Sequence, residues 1–331
     1  MQTAHYTEEE LTTLPRLLPQ LRQAIGQAVV GQQEVVDQLL VTLLAGGHAL
    51  LEGVPGLAKT LMVRSLAQAL HLKFRRIQFT PDLMPGDLIG TEILEEDRQT
   101  GHHHFIFNQG PLFANIVLAD EINRTPPKTQ AALLEAMQES NITWSGKTYE
   151  LEQPYLILAT QNPLEQAGTF PLPEAQLDRF LLYIRLGYPS MQEEVEILSR
   201  TTSNEKAAIE PVMGSEEIIR LRRMVRDLPV SPELLGWVAG LVQSTRPEQS
   251  RSAFVKEWVS WGAGPRAGQA LVLAAKAHAL MHNRLSVIPE DLAWAAKPVL
   301  RHRILLNFGA EAEGITPDSV VERLLQEEGR R

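Results

Sequence analysis

Residues 48–60, HALLEGVPGLAKT, place a short apolar strand directly before a glycine-bearing turn and the start of a helix. No other stretch constrains the chain as much. Gly53, Gly56, Lys59 and Thr60 stand at the spacing of a phosphate-binding loop, with Ala58 in place of the second glycine of the usual pattern. Small residues there let successive backbone N–H groups converge on phosphate oxygens, and the amino end of the new helix adds partial positive charge. Lys59 can then reach the β- and γ-phosphates of a nucleotide, and the Thr60 hydroxyl can ligate Mg2+. Ala58 is expected to lie inside the first helical turn with a negative φ, where alanine costs nothing. The bland alternative is a strand-to-helix turn that happens to precede Lys-Thr.

A second motif weighs against that alternative. Residues 116–121, IVLADE, form an apolar strand ending in two adjacent carboxylates. Further strands are expected at 74–79, 155–160 and 181–186, with helices over 59–70 and 126–139. Apolar strands alternating with helices predict a parallel sheet covered on both faces, with ligands bound at its carboxyl edge. There Asp120 could hold Mg2+ through water, and Glu121 could orient and deprotonate an attacking water. An isolated Asp-Glu is commonly a solvated turn, but two such motifs in order, each ending an expected strand, make a coherent site. Asn162 and Arg179 are expected at the same edge. Asn162 could hydrogen-bond the γ-phosphate or the water, or initiate an Asn-Pro turn with Pro163. Arg179 could pair with Asp178, or reach a neighbouring subunit's γ-phosphate and accelerate its transfer by orders of magnitude.

The rest of the chain frames this centre. Residues 8–45 read as two helices stopped by Gly46–Gly47. Beyond Tyr188–Pro189 strands are expected to cease. Ser231–Pro232, Ile288–Pro289 and Thr316–Pro317 each set a cap or an apolar staple before a first-turn proline. A length of 331 residues suits two domains: a nucleotide-binding core over 1–200 and a helical domain over 201–331, entered through 201–214. The absence of cysteine removes disulfides and thiolate sites. The acidic start, MQTAHYTEEEL, lacks the pattern of a secretory signal, and 39–51 is too short to span a bilayer. A soluble, cytoplasmic protein with no integral membrane segment is therefore expected.

The stretches GVPGLAKT, FTPDLMPGDLIGTE, NQGPLFANIVLADEINRTPPKTQAALLEAMQE, LATQNPLEQAGTFPLPEAQLDRF, GYP and AGPRAGQ run in that order through the chain. In this order they resemble the MoxR family of AAA+ ATPases, from about Val30 to Ala270. The resemblance implies an α/β P-loop core with a parallel five-stranded sheet of order 5-1-4-3-2, a C-terminal all-helical lid, and hexameric rings of identical subunits with ATP and Mg2+ between them. By position, Gly53, Pro55, Gly56, Leu57, Ala58, Lys59, Thr60 and Leu61 belong to Walker A, and Asp120 and Glu121 to Walker B. Asn162 matches sensor 1, Arg179 the arginine finger and Arg266 the sensor 2 arginine, with action in cis or in trans left open. Val30–Gly31–Gln32 resembles the segment flanking the adenine. Arg124, in the EINR element, is a candidate to face a neighbouring nucleotide.

Two insertions mark the branch: 81–110, expected within the second helix, and a β-hairpin over 141–153 with Ser145–Gly146 at its turn. Such elements face the pore in ring relatives. Asp82, Asp87, Glu92, Glu95, Glu96 and Asp97 oppose Arg98 in the first, and Glu150 and Glu152 oppose Lys147 in the second. These surfaces would repel a phosphate backbone, and the net charge of −9 gives no general attraction to one. The resemblance implies a chaperone-like motor that spends ATP on remodelling or maturing a client protein, including metal or cofactor insertion, with a von Willebrand A-domain partner. A DNA-stimulated motor and a chelatase-type motor subunit are the rivals. His102–His103–His104 reads as a polar strand rather than a metal site, because neighbours in a strand point to opposite faces. Leu271, Ala274, Ala275 and His278 form a packing stripe. His302 and Arg303 could be structural or nucleotide-facing.

Overall fold

The computed structural model describes residues 6–96, 103–164, 168–202 and 209–328. Asp97, Arg98, His102 and residues 203–208 of the expected linker lie outside them.

Two helices open the chain, α1 (Glu8–Ala28) and α2 (Gln33–Ala45). Thr7 and Glu10 close a capping box on α1, and Gly46, at φ 70°, ends α2 in the left-handed region. The core follows as β1 (Ala49–Glu52), α3 (Lys59–Ala69), β2 (Phe74–Gln78), α4 (Pro85–Ile89), β3 (Gly90–Glu96), β4 (His103–Gln109), β5 (Ile116–Asp120), α5 (Pro127–Glu139), β6 (Asn141–Trp144), β7 (Lys147–Glu150), β8 (Leu156–Gln161), α6 (Glu174–Leu177), β9 (Leu182–Arg185) and α7 (Met191–Thr201). Five of these strands make one parallel sheet in the order β2-β5-β8-β1-β9. Numbered among themselves, they run 5-1-4-3-2 from the β9 side, the order that the resemblance implies.

The central strands β5, β8 and β1 are mostly apolar because both their faces are covered, and successive residues feed different cores, whereas the edge strand β2 carries exposed Arg75, Arg76 and Gln78. Ile116, Leu118, Leu156, Leu158, Leu51 and Ile184 enter one apolar cluster with α2 and α3, whereas Val117, Ala119, Ile157, Ala159 and Leu50 enter another with Leu133, Leu134 and Met137 of α5. Burying a side chain such as Leu50 contributes about 1.5–3 kcal/mol. The first cluster continues without a break into the C-terminal helices.

Those helices are α8 (Ser215–Asp227), α9 (Pro232–Ser244), α10 (Ala253–Trp258), α11 (Pro265–Met281), α12 (Pro289–Leu300), α13 (Phe308–Ala312) and α14 (Pro317–Glu328). Leu221, Leu271, Ala274 and Ala275 join the cluster, so the stripe on α11 is core. Strands do not cease after Pro189 as expected. A short antiparallel ribbon, β10 (Val259–Trp261) with β11 (Leu305–Leu306), lies among the helices. The sequence hides it because two or three residues are too few for an alternating pattern.

The insert over 81–110 is not embedded in a long helix. Five residues of α4 lead directly into the antiparallel hairpin β3–β4, where Gly90 and Gly110 approach so closely that a Cβ would strike backbone. His103 and His104 are successive positions of β4, and no group of three or more His, Asp or Glu side chains able to hold a metal occurs among the described residues. The second hairpin, β6–β7, turns at Ser145 and Gly146, both at positive φ. No helix among the described residues is long and apolar enough to cross a membrane.

Candidate active site

The loop between β1 and α3 is shaped by close packing. A Cβ on Gly53 would lie 2.9 Å from Cβ of Leu186, and Gly56 takes φ 89°, a region open to glycine. Ala58 contradicts expectation: it is the N-cap of α3, outside the helix, with φ 54°. The loop needs a left-handed residue immediately ahead of the helix to turn its N–H groups inward, and alanine accepts that conformation at a cost of about 1–2 kcal/mol. Lys59 folds back over the loop, donating from Nζ to the Gly53 carbonyl at 2.6 Å. Burial pulls the Lys59 ammonium down, while the charges of Asp120 and Glu121 push it up, so both carboxylates lie within its electrostatic reach. Thr60, the second residue of α3, is half-buried, its hydroxyl without a hydrogen bond to the described residues.

Asp120 and Glu121 leave the carboxyl end of β5 next to this loop, and each is already engaged. One oxygen of Asp120 accepts from Arg76 Nε at 3.0 Å and Nη2 at 2.6 Å, and the other from the Thr160 hydroxyl at 2.6 Å. That hydroxyl accepts from the Glu121 N–H at 2.8 Å. Glu121 sits at φ 58°, and its Oε2 accepts from Gln78 Nε2 at 2.7 Å and pairs with Arg124 Nε at 3.1 Å. A left-handed glutamate held by its neighbours is the kind of strain found where chemistry is done. The carboxylate of Asp120 with the hydroxyl of Thr60 is an all-oxygen donor set of the few-ligand kind that suits Mg2+ bound with phosphates and water. The occupied oxygens of Asp120 favour contact through water.

Arg76, Gln78 and Thr160 belong to the site although they stand outside its sequence motifs. Their signal was present: Arg76 and Gln78 alternate along β2, which puts both on one face, and Thr160 is the polar break near the end of an apolar strand.

Asn162 follows β8 at the same edge and is buried, and its Oδ1 accepts from the Leu164 N–H at 3.1 Å, as the turn reading predicts. The segment that resembles an adenine flank is near the loop. Gln32 donates to the Gly187 carbonyl at 2.8 Å, just beyond Leu186, which covers Gly53. Val30 and Gly31 border a cavity of about 840 Å³ that Asp37, Arg200 and His282 also line. Pro55 and Leu57 stay in the loop, and Leu61 is exposed on α3.

Arg179 is not at this edge. It precedes β9, which runs parallel to β1 in register Ala49↔Leu182, so it lies at the amino edge. A four-residue strand separates the edges by about 13 Å. Its Nη1 donates to the Leu134 carbonyl at 3.2 Å beside a cleft of about 300 Å³ along α5. The alternative pairing with Asp178 does not form either. Asp178 pairs instead with Arg303 at 2.7 Å and stands 3.9 Å from Arg266. Arg266 therefore lies by Asp178 ahead of β9 rather than over the Lys59 loop. His302 and Arg303 are buried and bind main-chain carbonyls ahead of β9.

Comparison with known proteins gives a consistent result. The model of the ATPase family associated with various cellular activities (AAA) matches residues 48–182, and the AAA lid domain model matches residues 251–324. The chain is 44% identical over 318 residues to chaperone MoxR1 of Mycobacterium tuberculosis, covering 96% of this chain and 82% of that protein. It is 44% identical to the protein YeaC of Bacillus subtilis, covering 93% of each. A crystal structure described as a candidate ATPase of Cytophaga hutchinsonii superposes with TM-score 0.90 at 42% identity, covering 96% of each chain.

Proposed function

The chain belongs to the MoxR family of AAA+ ATPases, and from that premise we propose that it is an oligomeric chaperone-type motor hydrolysing ATP at seams between its copies. The observation that carries this reading is that the Lys59 loop after β1 and the Asp120–Glu121 pair after β5 leave the same carboxyl edge of the sheet on either side of β8, with both carboxylates in electrostatic reach of Lys59. Lys59 and the loop N–H groups bind the β- and γ-phosphates. Thr60 and, through water, Asp120 hold Mg2+, which when bound neutralises charge gathering on the phosphates. Glu121 orients the attacking water and takes its proton once Gln78 and Arg124 yield the carboxylate. Asn162 hydrogen-bonds the water or the γ-phosphate.

Stabilisation of the transition state is completed by Arg179 and Arg266 of a neighbouring copy. Asp178 stands 3.9 Å from Arg266, and Arg179 donates to the Leu134 carbonyl at the same edge of the sheet, so both arginines lie away from their own loop and act in trans. Contact between that face and the loop of the next copy is head-to-tail, which closes into a ring; six copies, with residues 201–331 as the lid, is the proposed form. The client is a protein. Glu92, Glu95 and Glu96 on the exposed β3–β4 hairpin disfavour a phosphate backbone, while Ile93, Leu94 and Phe105 offer apolar contact. Maturation of that client, including metal or cofactor insertion, with a von Willebrand A-domain partner is the proposed task.

Glu121→Gln should bind ATP and release no phosphate. Arg179→Ala should likewise bind ATP and be inactive. Mixing the two should restore turnover, because a seam with an intact Glu121 on one side and an intact Arg179 on the other then exists. No recovery at any ratio would remove Arg179 from the neighbour's site.

A further inference from the structure

Arg301, His302 and Arg303 form the turn after α12, and all three reach into one short segment more than a hundred residues earlier. Arg303 donates from Nε to the Asp178 carboxylate at 2.7 Å and from Nη2 to the carbonyls of Asp178 at 3.1 Å and Phe180 at 2.7 Å. Its Nη1 serves the Leu181 carbonyl at 3.3 Å and that of Val299. His302 donates from Nε2 to the Phe180 carbonyl at 3.1 Å and stacks on Tyr183, with ring centroids 5.7 Å apart. Arg301 holds Asp318 of α14 at 3.0 Å and donates to the Tyr183 carbonyl at 3.2 Å.

The residue bracketed by these bonds is Arg179. Carbonyls on both sides of it are fixed, yet its own side chain is exposed. A planar guanidinium serves this purpose as an ammonium could not, since its fork reaches several acceptors in fixed directions. The Arg303 side chain is only 3% exposed, so its bonds are not traded for water and the segment cannot drift without breaking them. β9 is also the last strand on its side of the sheet; ahead of it the segment is held by this turn, by the Leu181 N–H donating to the His48 carbonyl at 2.8 Å and by Arg179 Nη1 on the Leu134 carbonyl. The same Asp178 carboxylate stands between Arg303 and Arg266, so one anion registers these two cations against each other.

We propose that the Arg301–His302–Arg303 turn, with Arg303 at its centre, is a positioning device for Arg179: it couples the helical region to the guanidinium that each copy presents to its neighbour's nucleotide. This rests on the reading of Arg179 as acting in trans. Misplacing a transition-state group by about 1 Å costs on the order of a hundredfold in rate. Loss of Arg303 should therefore lower kcat about ten- to a hundredfold while the copy's own loop binds ATP as before.

The test uses the full chain carrying Arg303→Met, assayed alone and mixed with each inactive partner. Alone, kcat should fall with the KM for ATP within about twofold. Mixed with Glu121→Gln, turnover should recover, because the Arg303→Met copy still offers an intact Glu121 to a well-placed Arg179. Mixed with Arg179→Ala, it should not recover, since neither copy presents a working finger. Asp178→Asn, altered on the more exposed side of the pair, should give the same pattern with a smaller loss if Arg303→Met does not fold. Arg303→Lys should regain part of the rate through Asp178. Recovery for Arg179→Ala with Glu121→Gln, but none for Arg303→Met or Asp178→Asn with Glu121→Gln, would overturn the positioning role alone. Failure of the Arg179→Ala control would overturn the trans reading and this inference together.

Discussion

At the scale of single residues, the site is set by backbone conformations as much as by side-chain chemistry. Ala58 and Glu121 both take positive φ immediately before a helical turn. In each case the residue is the last before the chain changes direction, so its N–H or side chain is re-aimed toward the shared edge. A shift of one position in the start of α3 decides whether residue 58 is strained, and sequence patterns do not locate helix starts to one residue. Ala58→Gly should raise the unfolding free energy by about 0.5–1 kcal/mol, the relief of left-handed strain less the entropy of glycine. Ala58→Val, β-branched at the same φ, should lower it and weaken ATP binding. Urea titrations with and without nucleotide would measure both; equal stability for alanine and glycine would mean that position 58 is not strained.

Among elements, the two hairpins are not independent. Phe107 of β4 stacks on Tyr149 of β7 with centroids 4.6 Å apart and faces Trp144 of β6 at 6.4 Å, while Phe113 meets Phe107 edge-on at 5.8 Å. Two-stranded ribbons are marginal alone in water, so this cluster fastens each to the other. Phe107→Ala should cost about 1–2 kcal/mol locally, less than a fully buried phenylalanine. Amide exchange should speed up in both 90–109 and 141–150, with the sheet strands unaffected. Faster exchange confined to β3–β4 would show that the hairpins are uncoupled. The sequence announced the second hairpin through Ser145–Gly146 and marked the first as an insertion, but the pairing of their aromatic faces depends on how both leave the core.

For the molecule as a whole, stability should depend on acid through histidines that are buried neutral. His48, just before β1, accepts from the Ile157 N–H at 2.9 Å on Nδ1 and donates from Nε2 to the Met137 carbonyl at 3.0 Å, joining α5 to the sheet. Burial pushes it down from 6.5 to about 4. Because the folded value is depressed, the unfolded chain binds the extra proton first. The contribution is therefore complete above pH 6.5, is lost as pH falls toward 4, and levels off below. The loss from His48 is about 3 kcal/mol. His302, also pushed well down by burial, adds in the same direction. Unfolding free energies between pH 7.5 and 4 should fall more steeply for the native chain than for His48→Gln; parallel curves would show that His48 is not the group titrating.

The amino-acid sequence alone determined what is local: the loop from Gly53 to Thr60, the acidic end of 116–121, the alternating elements and the proline-started helices all follow from residues a few positions apart. Tertiary structure decided the rest. Parallel pairing sent Arg179 to the far edge, folding brought Arg76, Gln78 and Thr160 onto the carboxylates, and Arg303 found Asp178 across 125 positions. Such contacts depend on which strand lies beside which and on which direction each runs, and no short-range pattern carries that information.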